Sequence, residues 1–330
     1  MRVRTDAGTG WGECTAPTTP EYDGETIDGA RLALRDHLLP RAFAGTGFDD
    51  VRGHAAARAA LECALLDARL RAEAVSLAVW LGAARATVPA GVAVGLFDDT
   101  DELRRVIAGY VAAGYRRVKC KIEPGRDVEV LRAARAEAGP GVALAADANG
   151  SYSLVQARAL FARIDDLALQ CVEQPCAPAA IAAHAALVAE FDTPVGLDES
   201  ITGVAATELA IEQQACTVAA VKVGRLGLDA ARRALAACGR AAIDALAGGM
   251  LETGVGRAAL LAVAALPACT LTGDCSASAR YFGAAGDLTA PFELEDGAIR
   301  VPTGPGLGVE PLPDRLARAT IAREHISPRD

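Results

Sequence analysis

The segment Val118-Lys119-Cys120-Lys121 is the first of five short apolar segments that end in a charged residue. The other four are Ala145-Ala146-Asp147, Cys171-Val172-Glu173, Gly196-Leu197-Asp198 and Ala220-Val221-Lys222. Their last residues follow one another at intervals of 24 to 26 positions, which is the length that a strand, a helix and two loops require. The spacing therefore predicts consecutive βα units of a parallel sheet.

Eight strands in such an alternation are typical of a closed barrel rather than an open sheet. We predict them at 88–95, 117–122, 142–147, 168–173, 194–198, 218–223, 242–247 and 268–272. No G-x-G-x-x-G motif follows the first strand, so a dinucleotide-binding fold has no support. The predicted fold class is α/β, a modified TIM (β/α) barrel. The carboxyl ends of barrel strands converge on one face, and that face carries the chemistry.

The two chain ends do not share this alternation. Residues 1–20 are strand-like, helices are predicted at 26–39 and 55–71, and a hairpin is predicted at 292–301. We expect both ends to form one α+β capping domain. The proposed domains are 1–87 for its N-terminal part, 88–287 for the catalytic barrel and 288–330 for the C-terminal segment that returns to the cap.

Composition argues against several functional classes. The 330 residues suffice for a barrel and an accessory domain, and a net charge of −9 without a basic cluster makes nucleic acid an unexpected partner. Nine cysteines without a C-x-x-C pair indicate buried thiols in a reducing compartment, and the four scattered histidines argue against zinc. The longest apolar run, 258–271, is too short to span a bilayer, and no signal peptide opens the chain. We therefore expect a soluble cytoplasmic protein with no membrane partner.

Three carboxylates end adjacent predicted strands. Asp147, Glu173 and Asp198 offer the oxygen ligands that a hard divalent cation such as Mg²⁺ requires, with Mn²⁺ as its substitute. Any one of these acids alone would more simply be a helix cap or a surface residue. Three in succession, each directly after a buried segment, favour a metal site.

Three lysines complete the predicted site. Lys119 and Lys121 lie two positions apart on one strand and therefore face the same side, where crowding and a nearby metal should lower the pKa of at least one ammonium group. Lys222 ends a strand on the far side of the barrel. This arrangement suits abstraction of a proton from the carbon next to a carboxylate, with the cation stabilising the enediolate. The alternatives are a solvated edge strand for the lysine pair and a Schiff-base aldolase that uses Lys222 as its nucleophile.

Further residues near the strand ends are expected to orient the substrate or the primary site residues. Glu252 follows the seventh predicted strand in a loop with Gly249 and Met250, where glycine permits close approach of a ligand. Asn149 and Glu199 each come shortly after a predicted metal ligand. Capping and turn roles are the alternatives for these positions.

Several motifs together resemble the enolase superfamily, muconate-lactonizing subgroup. Those shared with the whole subgroup are Lys119-x-Lys121, Asp147-x-Asn149, Val172-Glu173-Gln174-Pro175, Leu197-Asp198-Glu199-Ser200 and Val221-Lys222-Val223-Gly224-Arg225. A second set resembles the o-succinylbenzoate synthase and N-succinylamino acid racemase branch: Trp11-Gly12-Glu13, Pro20-Glu21-Tyr22-Asp23-Gly24-Glu25-Thr26, Arg52-Gly53-His54, Gly114-Tyr115-Arg116-Arg117, Gly248-Gly249-Met250-Leu251-Glu252-Thr253-Gly254 and Gly273-Asp274-Cys275-Ser276-Ala277-Ser278. The resemblance covers nearly the whole chain.

The resemblance implies roles for the matching residues. Asp147, Glu173 and Asp198 would bind Mg²⁺. Lys121 would remove the α-proton of a small-molecule carboxylate substrate, and Lys119 would assist electrostatically. In a synthase of menaquinone biosynthesis, Lys121 would also return the proton to the departing hydroxyl in a syn dehydration, while Lys222 stabilises the intermediate. In a racemase of N-acylamino acids, Lys121 and Lys222 would exchange protons with opposite faces of one carbon.

Both reactions pass through the same enediolate, so these residues leave both open, and the synthase is our first prediction. A catalytically inactive relative kept as a binding protein is disfavoured because the lysine and carboxylate set is complete. Relatives carry roughly 30 to 40 more residues before the position of Met1. In those relatives we expect the extra residues to include the first capping strand and part of the lid that excludes water. Barrels of this type commonly assemble, and the sequence leaves a homo-oligomer open as the state of this protein.

Overall fold

The computed structural model describes residues 1–20, 24–48 and 50–328. Glu21, Tyr22 and Asp23, which belong to one of the motifs quoted above, lie outside the described residues. The described strands are β1 (Arg2–Thr5), β2 (Gly8–Trp11), β3 (Thr87–Pro89), β4 (Gly91–Val94), β5 (Arg117–Lys121), β6 (Ala143–Asp147), β7 (Val172–Glu173), β8 (Val195–Leu197), β9 (Val218–Val221), β10 (Asp244–Ala247) and β11 (Ala298–Arg300). The described helices are α1 (Ile27–Ala33), α2 (Leu39–Phe43), α3 (Ala55–Ala72), α4 (Leu77–Leu81), α5 (Thr100–Ala113), α6 (Val128–Ala138), α7 (Leu154–Ile164), α8 (Ile181–Glu190), α9 (Val204–Glu212), α10 (Val223–Leu226), α11 (Leu228–Arg240), α12 (Gly254–Ala264), α13 (Ala279–Phe282) and α14 (Pro313–Ala319), with a π-helical turn at Leu34–Leu38 and 3-10 turns at Asp165–Leu167 and Gly283–Ala285.

Seven parallel strands form the central sheet, in the spatial order β4-β5-β6-β7-β8-β9-β10. Spatial order equals chain order, and a helix lies in each connection, as in a singly wound α/β barrel. Helices α5 to α11 occupy these connections, as the predicted βα alternation requires. The predicted α/β barrel fold is therefore confirmed.

Local sequence explains where the outer helices begin and end. Asp99 caps α5 because its side chain accepts a hydrogen bond from the amide of Asp101 at 2.8 Å. Gly114 ends the same helix with a φ of 98°, a conformation that glycine adopts without strain. Ser153 and Gln156 form a capping box at the start of α7. Asp99 and Ser153 thus set where two of these helices begin, and Gly114 sets where α5 ends.

The eighth predicted strand is wrong as a regular element. Within the described residues, 268–272 forms no strand, yet the segment still joins β10 to β4. The amides of Leu271 and Asp274 donate to β10 at 3.1 and 3.0 Å, and Gly91 of β4 donates to the carbonyl of Cys275 at 3.1 Å. A Cβ atom on Gly273 would lie 2.2 Å from the carbonyl oxygen of Ala247, so the chain crosses β10 too closely for a regular ladder. An irregular segment thus closes the barrel.

The predicted strand 88–95 is divided between two sheets. β3 pairs antiparallel with β11, whereas β4 joins the barrel beside β5. Pro89 lacks the amide proton that a continuing ladder would need, and the chain changes partners directly after it. The hairpin predicted at 292–301 is reduced to the bridge between Glu295 and Ala298, because β11 pairs with β3 instead.

Both chain ends meet on α3. The hairpin of β1 and β2 lies against this helix so closely that a Cβ on Gly10 would be 2.1 Å from the carbonyl oxygen of Ala64. Asp67 of α3 accepts hydrogen bonds from the amide of Trp11 at 2.8 Å and from the amide of Leu307 at 2.7 Å. This contact is consistent with a cap built from both ends. The boundaries proposed at 87/88 and 287/288 stay predictions.

Alternation along the strands separates two cores. On β5, Val118 and Cys120 face the helices and belong to the large cluster between sheet and helices. A smaller cluster inside the barrel consists of Ala145, Cys171, Val218, Ala220 and Leu246. These mostly small side chains leave interior space for the long cationic chains of β5. No helix in the described part of the chain is long and apolar enough to cross a membrane.

Candidate active site

The parallel register places the charged strand ends side by side. Asp147 pairs with Lys121 of β5 on one side and with Glu173 of β7 on the other. Asp198 and Lys222 each follow directly after the next two strands, β8 and β9. The five predicted strand-end charges are thus brought together on one face of the barrel.

All three lysines of the chain lie at this face. The 33 cationic residues are otherwise arginines. A lysine amine can take part in proton transfer, whereas a guanidinium stays charged in proteins. The confinement of lysine to positions 119, 121 and 222 is therefore itself a functional signal.

Lys119 is buried within a ring of carboxylates. Its Nζ lies 2.8 Å from Oε1 of Glu173, 2.9 Å from Oδ2 of Asp274 and 3.2 Å from Oδ2 of Asp147. Burial acts to lower the pKa of Lys119, but the three carboxylates outweigh it and hold that pKa well above its ordinary value. The sequence predicted a lowered pKa for at least one lysine of the pair; at Lys119 the acids that contact it act in the opposite direction and raise the pKa.

Lys121 reaches further toward the mouth of the barrel, with 34% of its side chain exposed. Its Nζ donates to Oδ2 of Asp147 at 2.7 Å and to the side-chain oxygen of Asn149. The side-chain amide nitrogen of Asn149 in turn donates to Oε1 of Glu199 at 2.7 Å. The two predicted supporting residues, Asn149 and Glu199, therefore bond to each other beside Lys121.

Lys222 is held on the other side of the barrel. Its Nζ lies 2.5 Å from Oδ2 of Asp198, whose Oδ1 lies 2.8 Å from Nη2 of Arg225. A Cβ atom on Gly248 would lie 2.9 Å from Cγ and 3.2 Å from Cε of Lys222. Glycine at 248 thus provides the space in which the Lys222 side chain extends.

The carboxylates are neutralised by lysines in this arrangement of side chains. Lys121 bonds to Asp147, Lys119 to Glu173, and Lys222 to Asp198. Accordingly, the described residues contain no group of three or more His, Cys, Asp or Glu side chains gathered as a metal site. The assignment of the three acids as ligands stays a prediction.

One buried carboxylate oxygen of Glu173 nevertheless is suited to bind a cation. Oε2 of Glu173 has no hydrogen-bond partner within the described structure, and Nη2 of Arg117 lies 3.8 Å from it. Burial raises the pKa of Glu173; the ammonium of Lys119 opposes this shift, and the carboxylates of Asp147, Asp274 and Asp198 add to it. A buried carboxylate with an unsatisfied oxygen beside other acids is a suitable donor set for a hard divalent cation.

The loop after β10 supports the site from the mouth side. The amide of Gly249 faces Oδ2 of Asp274 at 3.4 Å, and the amide of Met250 donates to Oε1 of Glu252 at 2.8 Å. Burial raises the pKa of Glu252 to about 7. Glu252 thus braces the loop backbone, while its neighbour Leu251 is 83% exposed.

Sequence reasoning did not assign roles to three buried residues of the site, Arg117, Gln174 and Asp274. Arg117 donates to Oδ1 of Asp274 at 2.6 Å and to Oε1 of Gln170 at 2.5 Å, beneath Lys119. Gln174 accepts from the amides of Asp198 and Ser200, each at 3.1 Å, and so ties the end of β7 to that of β8. The alternation that puts Lys119 and Lys121 on one face also puts Arg117 there, so its position was readable from the strand period.

Comparison with known proteins agrees with this architecture. Residues 102–315 match the family described as enolase C-terminal domain-like. The chain is 44% identical to an N-succinylamino acid racemase of Amycolatopsis sp, over 99% of this chain and 90% of the relative. It is 38% identical to an o-succinylbenzoate synthase of Geobacillus kaustophilus, over 93% of this chain and 84% of the relative.

A solved structure has the same fold as this chain. The crystal structure of an enolase superfamily member from Listeria innocua superposes with a TM-score of 0.90 at 34% identity, covering 96% of this chain and 88% of that one. Pairing of a lysine or histidine base with one or two Mg²⁺ ions is known for this superfamily. The resemblance inferred from the motifs is confirmed. The chain belongs to the enolase superfamily and is an enzyme of the branch that contains o-succinylbenzoate synthases and N-succinylamino acid racemases.

Proposed function

We propose that the protein is a Mg²⁺-dependent o-succinylbenzoate synthase that acts on a small-molecule carboxylate in the cytoplasm. The observation that carries this proposal is the placement of Lys121 and Lys222. They lie at β5 and after β9, four positions apart in the strand order, with three carboxylates on the strand ends between them. In an eight-membered barrel, strands four positions apart face each other across the interior. A substrate held over the acids would therefore have an amine on each face.

The lysines perform the proton chemistry in this proposal. Lys121 takes the proton from the carbon next to the substrate carboxylate, and the same ammonium then protonates the departing hydroxyl as water leaves. Lys222 remains cationic beside Asp198 and stabilises negative charge that develops on the substrate. Lys119, buried among acids, contributes fixed positive charge.

Asp147, Glu173 and Asp198 would hold the divalent metal, and Mn²⁺ is expected to replace Mg²⁺. The metal supplies positive charge next to the substrate carboxylate, where it makes the α-proton more acidic. Binding of the metal would require the acids to exchange their lysine contacts for the cation. Asn149 and Glu199 would keep Lys121 aligned during this exchange.

A second candidate is N-succinylamino acid racemase. The observation that favours it is the 44% identity to the Amycolatopsis racemase over 99% of the chain, together with the lysine on each face. In that reaction Lys121 and Lys222 would each remove and return a proton at one face of the same carbon. Both activities use the same residues, so one enzyme preparation can be tested for both.

Two Mg²⁺-dependent assays on one preparation test the proposal. The first follows loss of water from 2-succinyl-6-hydroxy-2,4-cyclohexadiene-1-carboxylate, and the second follows α-proton exchange of an N-succinylamino acid in deuterated water. Fast dehydration with slow exchange supports the synthase, and the reverse supports the racemase. Lys121→Ala should abolish both, whereas Arg105→Ala, at an exposed position of α5, should change neither. Absence of both activities in the metal-loaded wild type would refute the proposed chemistry.

A further inference from the structure

Glu13 links the N-terminal part of the chain to the loop that supports Lys222. It is the second residue after β2, and its carboxylate accepts three hydrogen bonds from residues about 240 positions away in the chain. The donors are the amide of Thr253 at 2.8 Å, the hydroxyl of Thr253 at 2.7 Å and the amide of Gly256 at 2.7 Å. Glu13 therefore holds the last residue of the mouth loop and the first turn of α12.

The packing leaves little freedom at this contact. A Cβ atom on Gly256 would lie 3.0 Å from Oε2 of Glu13 and 2.7 Å from Cγ of Glu252. Glu252 in turn accepts a hydrogen bond from the amide of Met250. The carboxylates of Glu13 and Glu252 thus hold the backbone between Met250 and Gly256 by hydrogen bonds.

The same N-terminal segment also contacts the turn after Lys222. The hydroxyl of Thr15 donates to the carbonyl of Gly224 at 3.1 Å, and a Cβ on Gly224 would lie 2.9 Å from that hydroxyl oxygen. Gly248 begins the mouth loop and lies against the aliphatic chain of Lys222. Residues 13–15 therefore support both stretches of backbone that flank Lys222, whereas the hydrogen bonds of Lys121 go to Asp147 and Asn149 on the β5 side.

We propose that Glu13 is a positioning residue for Lys222 and not for Lys121. It acts through the loop 248–253 and the first turn of α12, and the backbone of this loop at Gly248 limits the space open to the Lys222 side chain. In kinetic terms this inference rests on the proposed function, because the two lysines then serve opposite faces of the substrate. Loss of Glu13 should consequently impair one face selectively, which a general loss of folding would not do.

The first test compares proton exchange at the two faces. Glu13→Ala is assayed with each enantiomer of an N-succinylamino acid in deuterated water with Mg²⁺. Exchange of the enantiomer served by Lys222 should fall roughly tenfold to a hundredfold more than exchange of the other, as expected when a reacting group is displaced by about 1 Å. Glu13→Gln retains an acceptor oxygen and should recover part of the loss. Equal losses for both enantiomers, or no loss, would overturn the proposal.

The second test needs no turnover, because the chain has lysine only at the site. Reductive methylation with formaldehyde is followed by mass spectrometry on the folded protein. Lys222 is 5% exposed in the native arrangement and should react slowly. Glu13→Ala should raise labelling at Lys222 severalfold and leave Lys121 unchanged. The control Glu310→Gln, which alters a carboxylate bonded to Trp11 and Arg71, should leave both rates unchanged.

The two tests separate the failures of the two proposals. If the wild type lacks both enzyme activities but Glu13→Ala exposes Lys222 to methylation, the proposed function fails and the positioning role stands. If the wild type is active and neither the enantiomer ratio nor the labelling of Lys222 responds to Glu13→Ala, the positioning role fails. If Glu13→Ala does not fold, the same two readouts on Glu13→Gln decide the matter.

Discussion

Replacement of Glu252 by glutamine should change how stability depends on pH. This carboxyl group is buried, and burial raises its pKa from an ordinary value of 4.5 to about 7. The neighbouring carboxylate of Glu13 raises that pKa further, while the amide of Met250 and the cation of Arg257 oppose the shift. The folded protein therefore holds this proton more tightly than the unfolded chain does.

The sign and size of the effect follow from linkage. Because the pKa is higher in the folded state, the contribution to stability is fully present below pH 4.5 and is lost as the pH rises to about 7. The shift corresponds to about 3 kcal/mol over the whole window, at about 1.4 kcal/mol for each pH unit. Glutamine at 252 does not titrate and can still accept the hydrogen bond from Met250. The variant should thus gain stability relative to the wild type by about 2 to 3 kcal/mol between pH 5 and pH 8.

Urea unfolding at pH 5, 6, 7 and 8 measures this difference. The free energy of unfolding of Glu252→Gln minus that of the wild type should rise between pH 5 and pH 7 and level off toward pH 8. Glu310→Gln serves as the control, because the Glu310 side chain is 61% exposed and its difference from the wild type should stay flat. Parallel curves for the wild type and Glu252→Gln would show that burial does not retain the proton, and the reasoning would be refuted.

Three further predictions concern the site. Gly248→Ala places a Cβ 2.9 Å from Cγ of Lys222. Turnover should therefore fall roughly tenfold to a hundredfold, while the melting temperature changes little. The control is Gly109→Ala, where no atom lies within 4 Å of the added Cβ, and this variant should keep full activity. Glu173→Gln should weaken Mg²⁺ binding by removing a charged ligand, and isothermal calorimetry that gives unaltered affinity would contradict the ligand assignment. Lys222→Arg keeps the positive charge but cannot transfer a proton, so it should impair α-proton exchange more than dehydration, and equal losses would argue that Lys222 has the same role in both reactions.

The lysine content also gives a direct readout of ligand binding. Of the two β5 lysines, Lys121 has the more exposed side chain, at 34% against 5% for Lys119. Reductive methylation should therefore modify Lys121 before Lys119. A substrate bound between Lys121 and Lys222 should protect Lys121 from the reagent in the presence of Mg²⁺. Mass spectrometry after limited labelling checks this, and labelling that is indifferent to saturating substrate would contradict the placement of the substrate.

The sequence by itself determined which charged residues share one face of the barrel. Intervals of 24 to 26 positions between strand-end charges are a local property of βα units, and the two-residue period of a strand assigns Lys119 and Lys121 to one side. These patterns depend on chain length and strand geometry alone. They were sufficient to predict the barrel and the converging charges, whereas the family was predicted from the resemblance of the motifs.

Only the tertiary structure decided how those charges are paired. Lys119 contacts Asp274, which is 155 positions away, because an irregular segment closes the barrel where a regular strand was predicted. That closure surrounds Lys119 with acids and raises its pKa, whereas the local sequence shows only a neighbouring lysine. The contact of Glu13 with Thr253 likewise spans 240 positions. Such contacts depend on how distant segments pack in three dimensions, and no local period of the chain records them.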